Sequence, residues 1–277
     1  MSALDLDALE DSLASVIVQL IEETSFQYIP KRGRAGNVSK GWAEIALAYR
    51  WGNSDNSFAD EEILESIQRD LEQGCHELVS SGRLSTPVSK TVCDAATRLF
   101  RWGGVTRGKD HNPPNLASTI AVMKTAYYCS DSFDAPLDSA WTKLAAFCTA
   151  SNPPKSDRFP QVIFDSRVSI AILQAIDKAA EQDSRYMPMR LAYQSRGLGY
   201  VPGRGGNRPM WIENLRANGW KSGYRNWSAQ FIASKLVCKI VTALNSTDCV
   251  DRMPNKLGGQ SLWTTRGVEK VLFMKGY

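Results

Sequence analysis

Histidine is nearly absent from this chain, cysteine is sparse, and long apolar runs are missing. The two histidines, His76 and His111, and the six cysteines, Cys75, Cys93, Cys129, Cys148, Cys238 and Cys249, are scattered without a C-x-x-C pair. A zinc site or an iron–sulfur cluster needs several such ligands at close spacing. No metal and no cofactor is therefore expected, and most of the cysteines fall in apolar stretches where a reduced thiol packs as a small core residue. No window comes near the ~18 apolar residues that cross a bilayer. The stretch from Met1 to Asp11 is acidic and lacks the basic n-region and small-residue cleavage site of a signal peptide, so a cytoplasmic chain is expected. No hairpin dipeptide separates alternating runs, β-branched clusters are few, and no G-x-x-x-x-G-K-[ST] phosphate loop is present.

What is there is an ordinary globular composition, 43% hydrophobic and 22% charged, which excludes disorder, collagen and coiled-coil rods. A chain of 277 residues can bury a sizeable core in one large domain or two small ones. Apolar residues recur at helical spacing over residues 4–24, 42–51, 60–79, 136–149, 168–180 and 226–244. Ser85-Thr86-Pro87 opens a further helix, with a hydroxyl cap and a proline in the first turn. Another follows Pro113-Pro114 and reaches about Cys129. The expected class is mainly α, a single all-helical unit over 1–277 with a sub-boundary near Ser184.

That boundary is where the charge flips. Residues 1–184 carry 18 basic and 25 acidic side chains, and residues 185–277 carry 15 basic and 4 acidic ones. A basic block of this size is the footprint of a polyanion binder, and a solvated basic surface that aids solubility gives the same count. Three irregular stretches concentrate cations. One runs Phe26-Gln27-Tyr28-Ile29-Pro30-Lys31-Arg32-Gly33-Arg34, and a second spans residues 101–111 with Arg107 and Lys109. The third, 196–225, combines Gly197, Gly199, Gly203, Gly205 and Gly206 with Arg204, Arg208, Lys221 and Arg225, and with Tyr200, Trp211, Trp220 and Tyr224. Aromatics among arginines and glycines suit base stacking beside phosphate contact; the same tryptophans also serve as core anchors under a long loop.

The densest constellation lies between two central helices. Leu137, Ala140, Trp141, Leu144, Ala145 and Cys148 form one core-facing stripe, with Lys143 at its edge. Val168, Ala171, Ile172, Ala175, Ile176 and Ala179 form the next, and Asp165 stands before it as an N-cap candidate. Spacing alone fits a snorkelling lysine and a capping aspartate.

The strings Ala140-Trp141-Thr142-Lys143-Leu144-Ala145-Ala146-Phe147-Cys148 and Val162-Ile163-Phe164-Asp165-Ser166-Arg167-Val168 resemble the helix-hairpin-helix DNA glycosylases, in particular the 8-oxoguanine glycosylase branch. In that family a lysine early in the hairpin's second helix is followed, some twenty residues on, by an aspartate that caps the next helix; here the separation is 22 residues. The resemblance covers about residues 134–176. It implies a helix-hairpin-helix glycosylase fold, with Lys143 as nucleophile and Asp165 as catalytic carboxylate approaching one another across a cleft. The family hairpin reads like L-P-G-x-G, whereas this chain has Ala135-Pro136-Leu137-Asp138-Ser139, so phosphate contact is expected to move to the basic C-terminal third. The Phe-Asp-Ser-Arg-Val string is similar to bacterial members that act in defence on hypermodified phage DNA, and among them to excision of glucosylated hydroxymethylcytosine.

What this implies is excision of a modified base from duplex DNA by a monomer. A carboxylate near C1′ stabilises an oxocarbenium-like transition state, and a neutral lysine amine attacks C1′, the resulting Schiff base permitting strand cleavage. Such a lysine must be desolvated or set beside another cation to react at neutral pH. Duplex contacts are expected from Arg204, Arg208, Lys221, Arg225, Lys31, Arg34 and Arg107. The flipped base is expected in a pocket of Tyr200, Asn207, Trp211, Trp141 and Arg167, with Asn226 as a further donor to a bulky sugar. Two other classes fit the same helices: a non-catalytic nucleic-acid-binding module, and a protein-interaction scaffold whose basic face meets an acidic partner.

Overall fold

The computed structural model describes residues 3–27, 37–49, 60–104, 114–153, 158–203, 208–248, 250–255 and 257–276. Among these, eleven α-helices carry the fold: α1 (Ala3–Glu23), α2 (Gly41–Leu47), α3 (Glu61–Ser81), α4 (Thr86–Trp102), α5 (Leu116–Tyr128), α6 (Trp141–Cys148), α7 (Ser166–Gln182), α8 (Met187–Ser195), α9 (Arg208–Ala217), α10 (Trp227–Ser246) and α11 (Thr265–Lys275). Four very short strands make two antiparallel pairs, β1 (Ser25–Gln27) with β2 (Val38–Lys40), and β3 (Met253–Pro254) with β4 (Gln260–Ser261). The chain is mainly α. No described helix is long and apolar enough to cross a membrane.

The chain divides into two compact units, one of residues 1–59, 165–224 and 235–277, the other of residues 60–164 and 225–234. The charge flip at Ser184 falls inside the first unit, in the turn between α7 and α8.

In the first unit α7 is the hub. The expected stripe is buried, and so are Ser169, Ile170, Leu173, Asp177 and Ala180, because α1, α8, α9 and α11 pack round it. A helix covered on nearly every side has to satisfy its buried polar groups internally. Ser169 Oγ donates to the Ser166 carbonyl at 3.3 Å and accepts from the Val201 amide at 2.9 Å. The Asp177 carboxylate takes Arg190 Nε at 2.6 Å, Asn218 Nδ2 at 2.8 Å and Trp220 Nε1 at 2.9 Å. One buried anion thereby ties α8 and the turn after α9 to the hub.

In the second unit α3, α4, α5 and α6 share one apolar core with Ile163 and Trp227. Residues 159–164 are buried and belong to no helix or strand. Side chains replace the missing ladder: Thr142 Oγ1 accepts from the Phe164 amide at 2.7 Å, Ser234 Oγ from the Val162 amide at 3.1 Å, and Thr149 Oγ1 from the Gln161 amide at 2.9 Å. Gln230 Nε2 donates to the Val162 carbonyl at 2.7 Å, while its Oε1 accepts from Thr142 at 2.8 Å.

Two sequence expectations are corrected, and two helices were not expected. The helix expected over 136–149 starts at Trp141, because Asp138 Oδ1 accepts from the amides of Ala140 at 2.7 Å and Trp141 at 3.2 Å and holds the preceding segment in a turn. The stretch 196–225 is not a single loop, since α9 occupies its middle; Arg208-Pro209 starts that helix with proline in the first turn. Helices α8 and α11 were not legible as stripes, being short and flanked by polar residues.

Candidate functional site

Lys143 sits in the first turn of α6, where every residue from Thr142 to Cys148 is buried. It does not snorkel. Its side chain is 3% exposed, and its ammonium donates to the Ser139 carbonyl one turn back. The aliphatic stem lies over Gly103, just past the end of α4, where a β-carbon would come within 2.8 Å of Cδ and Cε. The walls of the same region are aromatic. Trp141 packs edge-on against Phe100 with ring centroids 5.0 Å apart, and Trp102 lies 6.1 Å from Phe147. Trp141 is thus a half-buried part of the core of its unit.

Asp165 is the N-cap of α7. Its Oδ1 accepts from the amides of Arg167 at 2.9 Å and Val168 at 3.0 Å, so two otherwise unmet donors of the first turn are satisfied by one oxygen. Oδ2 takes no part in the cap. Lys143 and Asp165 belong to different units.

Around the start of α7, within the first unit, gathers a group of which the sequence pointed only to Arg167. Arg167 lies over the Phe273 ring at 4.1 Å from its centroid, and Phe273 is 5.5 Å from the Tyr49 ring. Tyr49 is buried, and its hydroxyl accepts from Arg266 at 3.4 Å. Burial pushes the Tyr49 phenol up; Arg266 pulls it back, and the Asp165 carboxylate raises it again. Arg266 is itself paired with Glu269. Tyr49 lay at the end of an apolar stretch and Arg266 in an unremarkable polar one, so only the packing of α2 and α11 on α7 brings them together. On the other flank Gly203 lies against Ser166 and the Arg208 stem so tightly that any β-carbon would collide.

The remaining expected residues scatter. Arg208 is 7% exposed, so it is not among the cations offered to solvent. Lys221 and Arg225 are exposed, the latter at φ 59°. Tyr200 is buried with its hydroxyl accepting from Arg216 Nε at 2.8 Å, while its backbone pairs with Lys221 and Gly223. Trp211 is half-buried on α9. Asn226 Oδ1 accepts from the Ser228 amide at 2.9 Å at the start of α10. Lys31, Arg34, Arg107, Arg204 and Asn207 lie outside the described residues.

Much of the basic surplus after Ser184 is used internally. Arg185 pairs with Asp183, Arg190 with Asp177, and Lys235 and Lys239 with Asp7 and Glu10 of α1. Glu10 is buried and also accepts from the Tyr193 hydroxyl at 2.7 Å. The charge asymmetry of the sequence is therefore in part an exchange between an acidic α1 and a basic α10. Among the described residues, no group of three histidine, cysteine or carboxylate side chains is placed to hold a metal ion.

No protein-family model, no curated protein and no solved structure matches the chain.

Proposed function

We propose that the chain is a DNA glycosylase of helix-hairpin-helix type that flips a modified base out of duplex DNA and excises it, its best substrate being a hypermodified, glucosylated cytosine of phage DNA. The observation that carries the reading is the burial of Lys143. A lysine that merely decorates a helix keeps its head in water; this one is drawn out of water in the first turn of the helix that follows α5 and its connection. Desolvation is what an amine nucleophile requires. Asp165 adds a cap whose second oxygen is not used in capping, 22 residues further on.

In the proposed reaction the Lys143 amine, as free base, bonds to C1′ as the C1′–N bond to the base breaks, and the departing base takes the electron pair and a proton. The Asp165 carboxylate stabilises the positive charge that builds on the sugar. Ring opening gives a Schiff base, and loss of a C2′ proton then expels the 3′ phosphate, the lyase step.

A second reading, a non-catalytic nucleic-acid-binding module, is favoured by the hydrogen bond from the Lys143 ammonium to the Ser139 carbonyl, which gives that lysine a structural task. One experiment separates them. Duplexes bearing glucosylated hydroxymethylcytosine, hydroxymethylcytosine or cytosine are incubated with the protein and assayed for alkali-labile sites, with and without borohydride. The proposal expects excision of the glucosylated base and a trapped covalent complex with wild-type protein. Lys143→Ala should give neither, while holding DNA within about threefold, because one lysine is a small part of a phosphate interface. Binding without alkali-labile sites on any duplex selects the module.

A further inference from the structure

Within the first unit, α1, α7 and α11 leave an open pocket away from Lys143 and Asp165. Leu20 and Ile21 of α1 and Ala171 and Ala175 of α7 give it an apolar floor, Thr24 and Gln174 add polar side chains to its lining, and its rim carries Lys178 and Lys275. The cavity itself is small, about 40 Å³, and open to solvent. Ala171, Ala175 and Lys178 recur at i, i+4 and i+7, so one face of α7 supplies both floor and rim. The two small alanines make the depression.

Two ammonium groups at one rim repel each other unless something between them is negative. Among the described residues, no carboxylate lies within ion-pair distance of either lysine, and none lines the pocket. Lys235, Lys239, Arg190 and Arg266 of the same unit each meet a carboxylate. What Lys275 has instead is the Phe26 ring, with Nζ 5.9 Å from its centroid.

We propose that this pocket binds a small organic oxyanion, a carboxylate or a phosphate monoester, whose head is held by Lys178 and Lys275 and whose short apolar chain lies on Leu20, Ile21 and Ala171. Charge-assisted bonds from two ammonium groups give the head affinity, and the alkyl floor discriminates against bare inorganic ions. Burial, with the neighbouring Lys178 charge, brings the Lys275 amine down to about 8. A bound anion reverses that balance, so occupancy makes Lys275 a poorer nucleophile and a more shielded one. The inference is independent of the glycosylase reading.

The test is competitive acetylation of the full chain, with the rate at each lysine read by mass spectrometry. Hexanoate, hexyl phosphate, acetate, inorganic phosphate and a plain DNA duplex are the added ligands, and exposed Lys221 is the internal reference in the arms without DNA. Hexanoate or hexyl phosphate should slow acetylation of Lys275 at least about tenfold while leaving Lys221 unchanged. Protection by one alone assigns the head as carboxylate or phosphate ester, and protection by both assigns a shared oxyanion site. Lys178→Gln, at an exposed position of α7, should weaken protection about tenfold by removing one charge-assisted bond. Equal protection by acetate or inorganic phosphate, equal protection at Lys221, protection by DNA alone, no protection, or indifference to Lys178→Gln each overturns the proposal.

Discussion

Gly103 clears the space that the Lys143 stem fills: a β-carbon at position 103 would stand 2.8 Å from both Cδ and Cε of the lysine. The glycine has φ −66°, a conformation open to any residue, so the demand is for room and not for backbone freedom.

Gly103→Ala should therefore displace the lysine and spare the backbone. Overpacking of this kind costs about 1–3 kcal/mol of stability. For a nucleophile moved by a fraction of an ångström, excision should slow tenfold or more, about a hundredfold for a full ångström. Thermal melts and single-turnover excision measure the two effects separately. A lowered melt with an unchanged rate would leave Lys143 a packing residue.

Asp165 carries a cap and, in the proposed chemistry, a charge, and two substitutions separate them. Asparagine caps about as well as aspartate, so Asp165→Asn should melt close to wild type, whereas Asp165→Ala should lose about 1 kcal/mol. Both should lose excision by about two orders of magnitude or more, since both remove the negative charge. Full activity in Asp165→Asn would reduce the residue to its cap.

Burial of Arg208 moves the expected DNA contact to the exposed cations Lys221 and Arg225. The double replacement Lys221→Gln, Arg225→Gln should flatten the plot of log affinity against log salt by about two. Arg225→Gly keeps the positive φ that glycine accepts, so it should leave the melt within about 1 kcal/mol while lowering affinity. An unchanged salt slope places the phosphates elsewhere.

Stability should fall in alkali. Burial raises the phenols of Tyr49 and Tyr193, the second further by the Glu10 carboxylate that it bonds. An unfolded tyrosine ionises near about 10, so above that pH the unfolded chain holds fewer protons than the folded one. The contribution of each phenol is thus whole below about pH 10 and is lost as pH rises toward the folded value. Tyr193→Phe should melt lower than wild type near pH 8, by about 1 kcal/mol for the lost hydrogen bond, and the gap should narrow or reverse by about pH 11. A constant gap would contradict the assignment.

The helices with sustained apolar periodicity were legible in the sequence, and so was the cap at Asp165, because both follow from local spacing. Helix α6 was legible in its core stripe but not in its start, which a side-chain bond from Asp138 decides. Asn115 caps α5 through a bond to the Ser118 amide at 2.8 Å, one residue inside the Pro113-Pro114 signal. The environment of Lys143 was not legible. Edge-of-stripe spacing is equally that of a snorkelling residue, and only Gly103, 40 positions earlier in the chain, decides that the stem goes inward. The pairing of α1 acids with α10 lysines was hidden for the same reason, since charge counts carry no information about distant partners.

The side chains that satisfy the backbone of residues 159–164 have a further consequence, for the order in which the protein is made. Thr142 and Thr149 precede that segment, but Gln230 and Ser234 follow it by about seventy residues. The first unit likewise waits, since α1 packs on α7 and its carboxylates meet Lys235 and Lys239. A chain emerging from the ribosome in sequence order can form its individual helices early. Neither unit can close until α10 has been synthesised, so nascent α1 exposes apolar surface through most of translation and the 159–164 segment does so while the next seventy or so residues are made, and that interval is when a chaperone would meet this protein.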